Sequence, residues 1–205
     1  MSVSVSVKTP TAAPAPPSAP SLETKDLSPE EKLLLEGTQK ANVTMMLEAL
    51  QAGANPNVRD PKGRTPLHFV AGLGLAPAAV VLLHFGAQVN ARDGEGLCPM
   101  HMAAGYANPQ TLRVLVAAGA DTDVTAKAQG TPLQVVTALG DYQLNQFLNR
   151  TGAEKLKKKD DKLEKLKLCL DVFDDVEGVR EDTNWDEMLE EVLMCTYSDT
   201  ASDEA

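Results

Sequence analysis

The chain has 205 residues and a formal charge of −10, from 29 acidic and 19 basic side chains. This argues against nucleic acid as a general partner, because phosphate binding needs a basic face that releases counterions. Three cysteines, Cys98, Cys169 and Cys195, are odd in number and form no Cys-x-x-Cys pair, which fits a reducing compartment better than a disulfide scaffold. No apolar run approaches the roughly 18–20 residues that a membrane span requires, so any relation to a membrane is expected to be peripheral.

Residues 1–22 contain no acid and one base, Lys8, and end in the cluster Pro14, Pro16, Pro17, Pro20. Such a stretch buries too little apolar area to fold. Residues 1–26 are therefore expected to be a disordered tail or a weak targeting segment. A chloroplast transit peptide shares the hydroxyl-rich, acid-free composition but normally carries arginine, which is missing here. One elongated domain should follow.

Ser28-Pro29-Glu30-Glu31 has the form of a helix start, with a serine cap, proline at the first position and glutamate three residues after the cap. Leu33, Leu34 and Leu35 follow, then Gly37. A second helix opens at Asn42 and carries Val43, Met45, Met46, Leu47 and Leu50 to Gly53. This pair, residues 27–59, reads as a divergent terminal unit.

From there two markers recur every 33 residues: Gly-Ala at 53–54, 86–87, 119–120 and 152–153, and the units Thr65-Pro66-Leu67-His68, Cys98-Pro99-Met100-His101 and Thr131-Pro132-Leu133-Gln134. Each unit predicts a helix capped by its first residue and opened by proline. Cys98 lacks the hydroxyl, so its helix start should be weaker. Gly74 ends the first of these helices. Ala78, Ala79, Val81, Leu82 and Leu83 then give a second, antiparallel helix its packing stripe. Asn108 is expected to cap the corresponding helix carrying Leu112, Val114, Leu115 and Val116. In the last unit Gly140 and Asp141 should separate two helices, the second bearing Leu144, Phe147 and Leu148. The polar stretch from Asn90 to Gly96 reads as a projecting turn. A hairpin of this kind cannot bury both faces alone, so neighbours must stack. The expected fold is all-α, a solenoid of about four hairpins at 27–59, 60–92, 93–125 and 126–153. The 33-residue beat with its T-P-L-H core resembles the ankyrin repeat.

Beyond it, Leu156, Leu163, Leu166, Leu170 and Phe173 share one helical face among lysines, which predicts a capping helix over 154–173. Residues 171–205 hold thirteen acids against the single Arg180. Within the acidic tail 174–205, a flexible link from Asp174 to Thr183 leads to an amphipathic helix at 184–195. Asn184 and Glu187 frame its start, and Trp185, Met188, Leu189, Val192 and Leu193 form its stripe. That helix could fold back on the repeats or bind a basic partner.

No catalytic constellation, phosphate loop or metal-ligand spacing is present, so neither enzymatic activity nor a cofactor or metal is expected. His68 and His101 should hydrogen-bond backbone between neighbouring repeats, and His84 should lie at the surface. Binding of a protein or peptide is then the expected role. Counting from the threonine position as zero, position eight holds Leu73, Tyr106 and Leu139 at the inner, concave side. The leucines could pack against the turns; a tyrosine combines contact area with a polar tip. Arg64, at position minus one, offers five fixed donors to a carboxylate or to carbonyls. Arg64, Leu73, Tyr106 and Leu139 together suit a short extended peptide bearing an apolar residue and an acid.

The stretches Gly63-Arg64-Thr65-Pro66-Leu67-His68-Phe69-Val70-Ala71-Gly72-Leu73-Gly74 and His101-Met102-Ala103-Ala104-Gly105-Tyr106 resemble the second and third ankyrin repeats of the chromodomain-bearing subunit of the chloroplast signal recognition particle. That resemblance covers residues 55–125. It implies a chaperone of light-harvesting chlorophyll-binding proteins in the chloroplast stroma, gripping a loop with the motif Asp-Pro-Leu-Gly through Arg64 and Tyr106. The family's chromodomains have no counterpart in residues 154–205, which read as helix. The competing expectation is a cytosolic or nuclear ankyrin scaffold whose acidic helix binds the partner.

Overall fold

The computed structural model describes residues 27–151 and 161–201. The expected N-terminal tail, the Gly152-Ala153 marker, Leu156 and most of the lysine run lie outside them, as do the side chains of Leu144, Phe147, Leu148, Leu163 and Cys195. Ten helices are described: α1 (Pro29–Gln39), α2 (Val43–Gln51), α3 (Pro66–Leu73), α4 (Ala76–His84), α5 (Pro99–Gly105), α6 (Pro109–Ala117), α7 (Pro132–Thr151), α8 (Asp161–Asp174), α9 (Val176–Asp182) and α10 (Trp185–Ala201). No strand occurs among the described residues. The chain is a helical repeat solenoid, as its periodicity predicts.

Local chemistry sets the first hairpin. Ser28 and Glu31 exchange the two bonds of a capping box, at 3.2 and 3.0 Å, and Asn42 Oδ1 accepts the Met45 amide at 3.1 Å. α1 runs past Gly37 and stops before Ala41, whose φ of 53° reverses the chain. Gly74 (φ 74°) and Ala107 (φ 53°) make the equivalent reversal in the next two units. Each lies nine residues after its Thr or Cys.

Stacking is carried by a histidine ladder. His68 Nδ1 accepts the Thr65 N–H at 3.0 Å, so the ring proton sits on Nε2, which donates to the Leu97 carbonyl at 3.1 Å. His101 repeats this one unit on, with the Cys98 N–H at 3.3 Å and the Gly130 carbonyl at 3.0 Å. The Cys98 thiol stands where the Thr65 hydroxyl stands, each 2.9 Å from its Nδ1. The helix start at Cys98 is thus kept, with a longer amide bond. Further ties recur 33 residues apart: Asn57 Oδ1 accepts the Gln88 amide at 2.7 Å, and Asn90 Oδ1 accepts that of Asp121 at 3.0 Å.

Three expectations are corrected. Asn108 stands at the N-cap position of α6, but its side chain makes no capping bond there. Its amide instead donates to Ala71 O and Gly72 O, both at 2.9 Å, satisfying carbonyls at the end of α3. The fourth unit makes no hairpin of its own, because Gly140 stays helical and α7 continues unbroken to Thr151. α8 takes the missing outer position instead, packed on both α6 and α7. Leu166, Cys169 and Val172 are its buried residues. Third, the expected flexible link is mostly α9. Asp175 caps it by accepting the Gly178 amide at 3.1 Å.

Candidate binding surface

The outer helices α2, α4 and α6 pack in series, and α8, α9 and α10 run back along them. Arg180, the lone cation of the tail, donates from Nε to Val116 O at 3.2 Å and from Nη2 to Ala120 O at 3.0 Å. Val116 is in the last turn of α6, so a cation meets the negative end of the helix there, and Ala120 lies in the turn just beyond it. On α10, Val192 is buried, and Trp185, Met188, Leu189 and Leu193 are half-buried against the core. The stripe expected to meet a partner is therefore turned onto α4 in the folded chain. Folding back hides its apolar face from water.

The opposite face belongs to the inner helices α3, α5 and α7. Here position eight forms a row. Leu73, the last residue of α3, is 43% exposed; Tyr106 at the end of α5 and Leu139 within α7 are half-buried. Residues four apart share a helix face, which adds Phe69, Met102 and Val135 at position four. Between them, at position seven, stand Gly72, Gly105 and Ala138. The sequence reading missed both rows, although the 33-residue register contains them. The nine residues are apolar or small except for the tyrosine hydroxyl. Burial raises the Tyr106 hydroxyl above the usual phenol range, while nearby Arg64 pulls it the other way.

Arg64 differs from its expected role. Its guanidinium donates from Nε to Asp60 Oδ2 at 2.8 Å and pairs through Nη2 at 2.6 Å. The Arg64 side chain is 12% exposed and that of Asp60 2%. Its Cζ lies 4.4 Å from the centre of the Phe69 ring. Asp60 also accepts the Lys62 and Arg64 amides, at 2.9 and 2.8 Å. Much of the donor set expected to await a ligand carboxylate is thus committed to an internal one. Arg64 remains the edge of the surface, close to Tyr106 and over Phe69.

Burial lowers the affinity of His68 and His101 for a proton and raises the thiols, Cys98 above its usual value and Cys169 to about 12. Both described cysteines are free and buried. Among the described residues no group of three or more His, Cys, Asp or Glu is placed to hold a metal ion. No described helix is long and apolar enough to cross a membrane.

A stacked array of helical hairpins tied by a histidine ladder, with a part-exposed row of large side chains along its inner helices, has the form of a repeat-type binding scaffold. Residues 34–127 match the family model of ankyrin repeats, in three copies. That stretch is therefore an ankyrin array, and such repeats indicate a protein–protein interaction domain. No curated protein matches the chain.

Proposed function

We propose that this protein is a non-enzymatic adaptor or chaperone that grips a short extended peptide across the inner helices. The observation that supports this reading is the open row of Leu73, Tyr106 and Leu139 above Phe69, Met102 and Val135. Large apolar side chains left half-covered in a regular row are what a ligand's apolar residue would cover. At position seven Ala138 is small and exposed, which lets a peptide backbone come close there. Tyr106 supplies contact area with few rotors to freeze. Because Arg64 is paired with Asp60, the ligand's apolar residue is the main anchor and any acid in it a secondary one.

The resemblance to the chloroplast signal recognition particle subunit suggests the ligand class, a loop of light-harvesting chlorophyll-binding proteins met in the stroma. It rests on the quoted repeat residues alone. The alternative, a cytosolic or nuclear scaffold using α10 as a free partner helix, fits less well because the stripe of α10 faces α4.

Titration of a peptide containing Asp-Pro-Leu-Gly, against the same peptide with its leucine changed to alanine, tests both levels. Leu73→Ala and Tyr106→Ala should each weaken binding by about 1–3 kcal/mol without lowering the melting temperature of the repeats. Arg64→Ala needs that stability control most, since it leaves Asp60 buried and unpaired. Equal affinity in wild type and both groove variants would remove the inner face as the site. Binding insensitive to the peptide's leucine would remove the ligand class.

A further inference from the structure

The C-terminal extension is fastened in two different ways. α9 carries the polar anchor, Arg180, bonded to the Val116 carbonyl in the last turn of α6 and to the Ala120 carbonyl in the turn after it, and Val179 is buried beside it. α10 rests on α4 through a stripe of which only Val192 is buried. A cavity opens on each side of this contact. One, of about 400 Å³, lies between Val80, Leu83, Ala117, Trp185 and Leu189. The other, of about 350 Å³, lies between Gln110, Arg113, Met188, Glu187 and Glu191. Space beside a packed side chain forfeits its dispersion contacts, so a helix flanked by two cavities is held far less firmly than a core helix. Thr183 and Asn184 form the one non-helical break between α9 and α10, with Thr183 extended at φ −87° and ψ 111°.

We propose that α10 is a displaceable latch on the outer face of the repeats. It pivots at Thr183–Asn184 while α9 stays pinned by Arg180, and its release bares the apolar strip Val80, Leu83 and Ala117 together with its own stripe. Arg113 lines one cavity with Asp182, Glu187 and Glu191, one cation facing three carboxylates. That arrangement favours the closed position by charge. Closure and release concern the outer face only, so the proposal stands apart from the peptide reading of the inner one.

Hydrogen exchange on the full-length protein tests it directly. Amides of α10 should exchange at least tenfold faster than those of α9 and of α5–α6, yet slower than an unstructured chain. Trp185 is the only tryptophan, so its emission reports the state of the latch. Val192→Asp, and independently the surface change Arg113→Glu, should shift that emission to the red and raise acrylamide quenching, with protection in α3–α6 unchanged. Protection of α10 equal to that of α9 would overturn the latch. So would a Trp185 already fully quenched in the wild type, or loss of α3–α6 protection in both variants.

Discussion

At the scale of single residues, the histidine ladder makes stacking sensitive to pH. Burial holds His68 and His101 below the usual imidazole value. In the native protein these two imidazoles therefore stay neutral where those of the unfolded chain begin to take protons, near pH 6.5. With the folded value depressed, the stability is fully present above the unfolded value and is lost as pH falls from about 6.5 toward the native one. An acidic chain gains from reduced self-repulsion over the same range, so the informative comparison is between variants. Gln134 already shows that glutamine fits this position, accepting the Thr131 amide at 3.0 Å. His68→Gln/His101→Gln should therefore fold, and its melting temperature should fall less than that of the wild type between pH 7.5 and 5.5. Parallel curves would contradict the account. Thr111 poses the opposite case: fully buried, its hydroxyl has no hydrogen-bond partner among the described atoms. Thr111→Val keeps the shape and removes the stranded dipole. Urea denaturation should show a gain of about 1 kcal/mol, and a loss would mean the hydroxyl is satisfied after all.

Among the elements, the inner and outer helices from α3 to α6 were legible because proline, threonine or cysteine, and glycine recur in one register. The residues that failed were those with two possible uses. Asn108 sits where a cap is wanted, but its side chain also reaches the open carbonyls of α3. The longer reach ties two repeats together, where a cap would serve only one. Gly140 has the spacing of Gly74 but keeps helical backbone, because the last unit has no following hairpin to turn toward and α8 arrives from elsewhere. The acidic run before Thr183 resembled a linker in composition, yet Asp175 caps it, Val179 is buried, and Arg180 finds partners at least sixty residues away in sequence, which no local pattern reveals. The candidate surface was half visible: position eight was found, position four was not, and the Asp60–Arg64 pair that occupies the cation was overlooked. These two glycines give a matched test. A Cβ built on Gly140 meets nothing within 4 Å, so Gly140→Ala should stabilise α7 by about 0.5–1 kcal/mol. At Gly74 the same atom would lie 2.8 Å from Asn108 Oδ1, on backbone with φ 74°. Gly74→Ala should destabilise by at least about 1 kcal/mol. Thermal melts of the pair should move in opposite directions, and a shared direction would mean α7 bends at Gly140 in solution.

For the molecule as a whole, the question is whether the repeats need the extension. Solenoid stability is roughly a sum of units and the interfaces between neighbours, and a terminal unit must hide its inner face from water. The unit ending in α7 lacks an outer helix of its own, and α8 fills that place with Leu166, Cys169 and Val172 buried. Burying each aliphatic side chain contributes about 1.5–3 kcal/mol, and Arg180 adds charge-assisted bonds to α6. Together these are comparable with the 5–15 kcal/mol that typically separates a folded domain from its unfolded chain. Ending the protein at residue 160 should therefore yield a chain with reduced helicity per residue, a lower and broader melt and increased binding of an apolar dye. Ending it at residue 183 removes only α10 and should leave the melt of the repeats within a few degrees. Because the two truncations differ only in α8 and α9, a melt unchanged in both would make the whole extension an appendage. A collapse in both would instead make α10 as necessary to the fold as the helices before it.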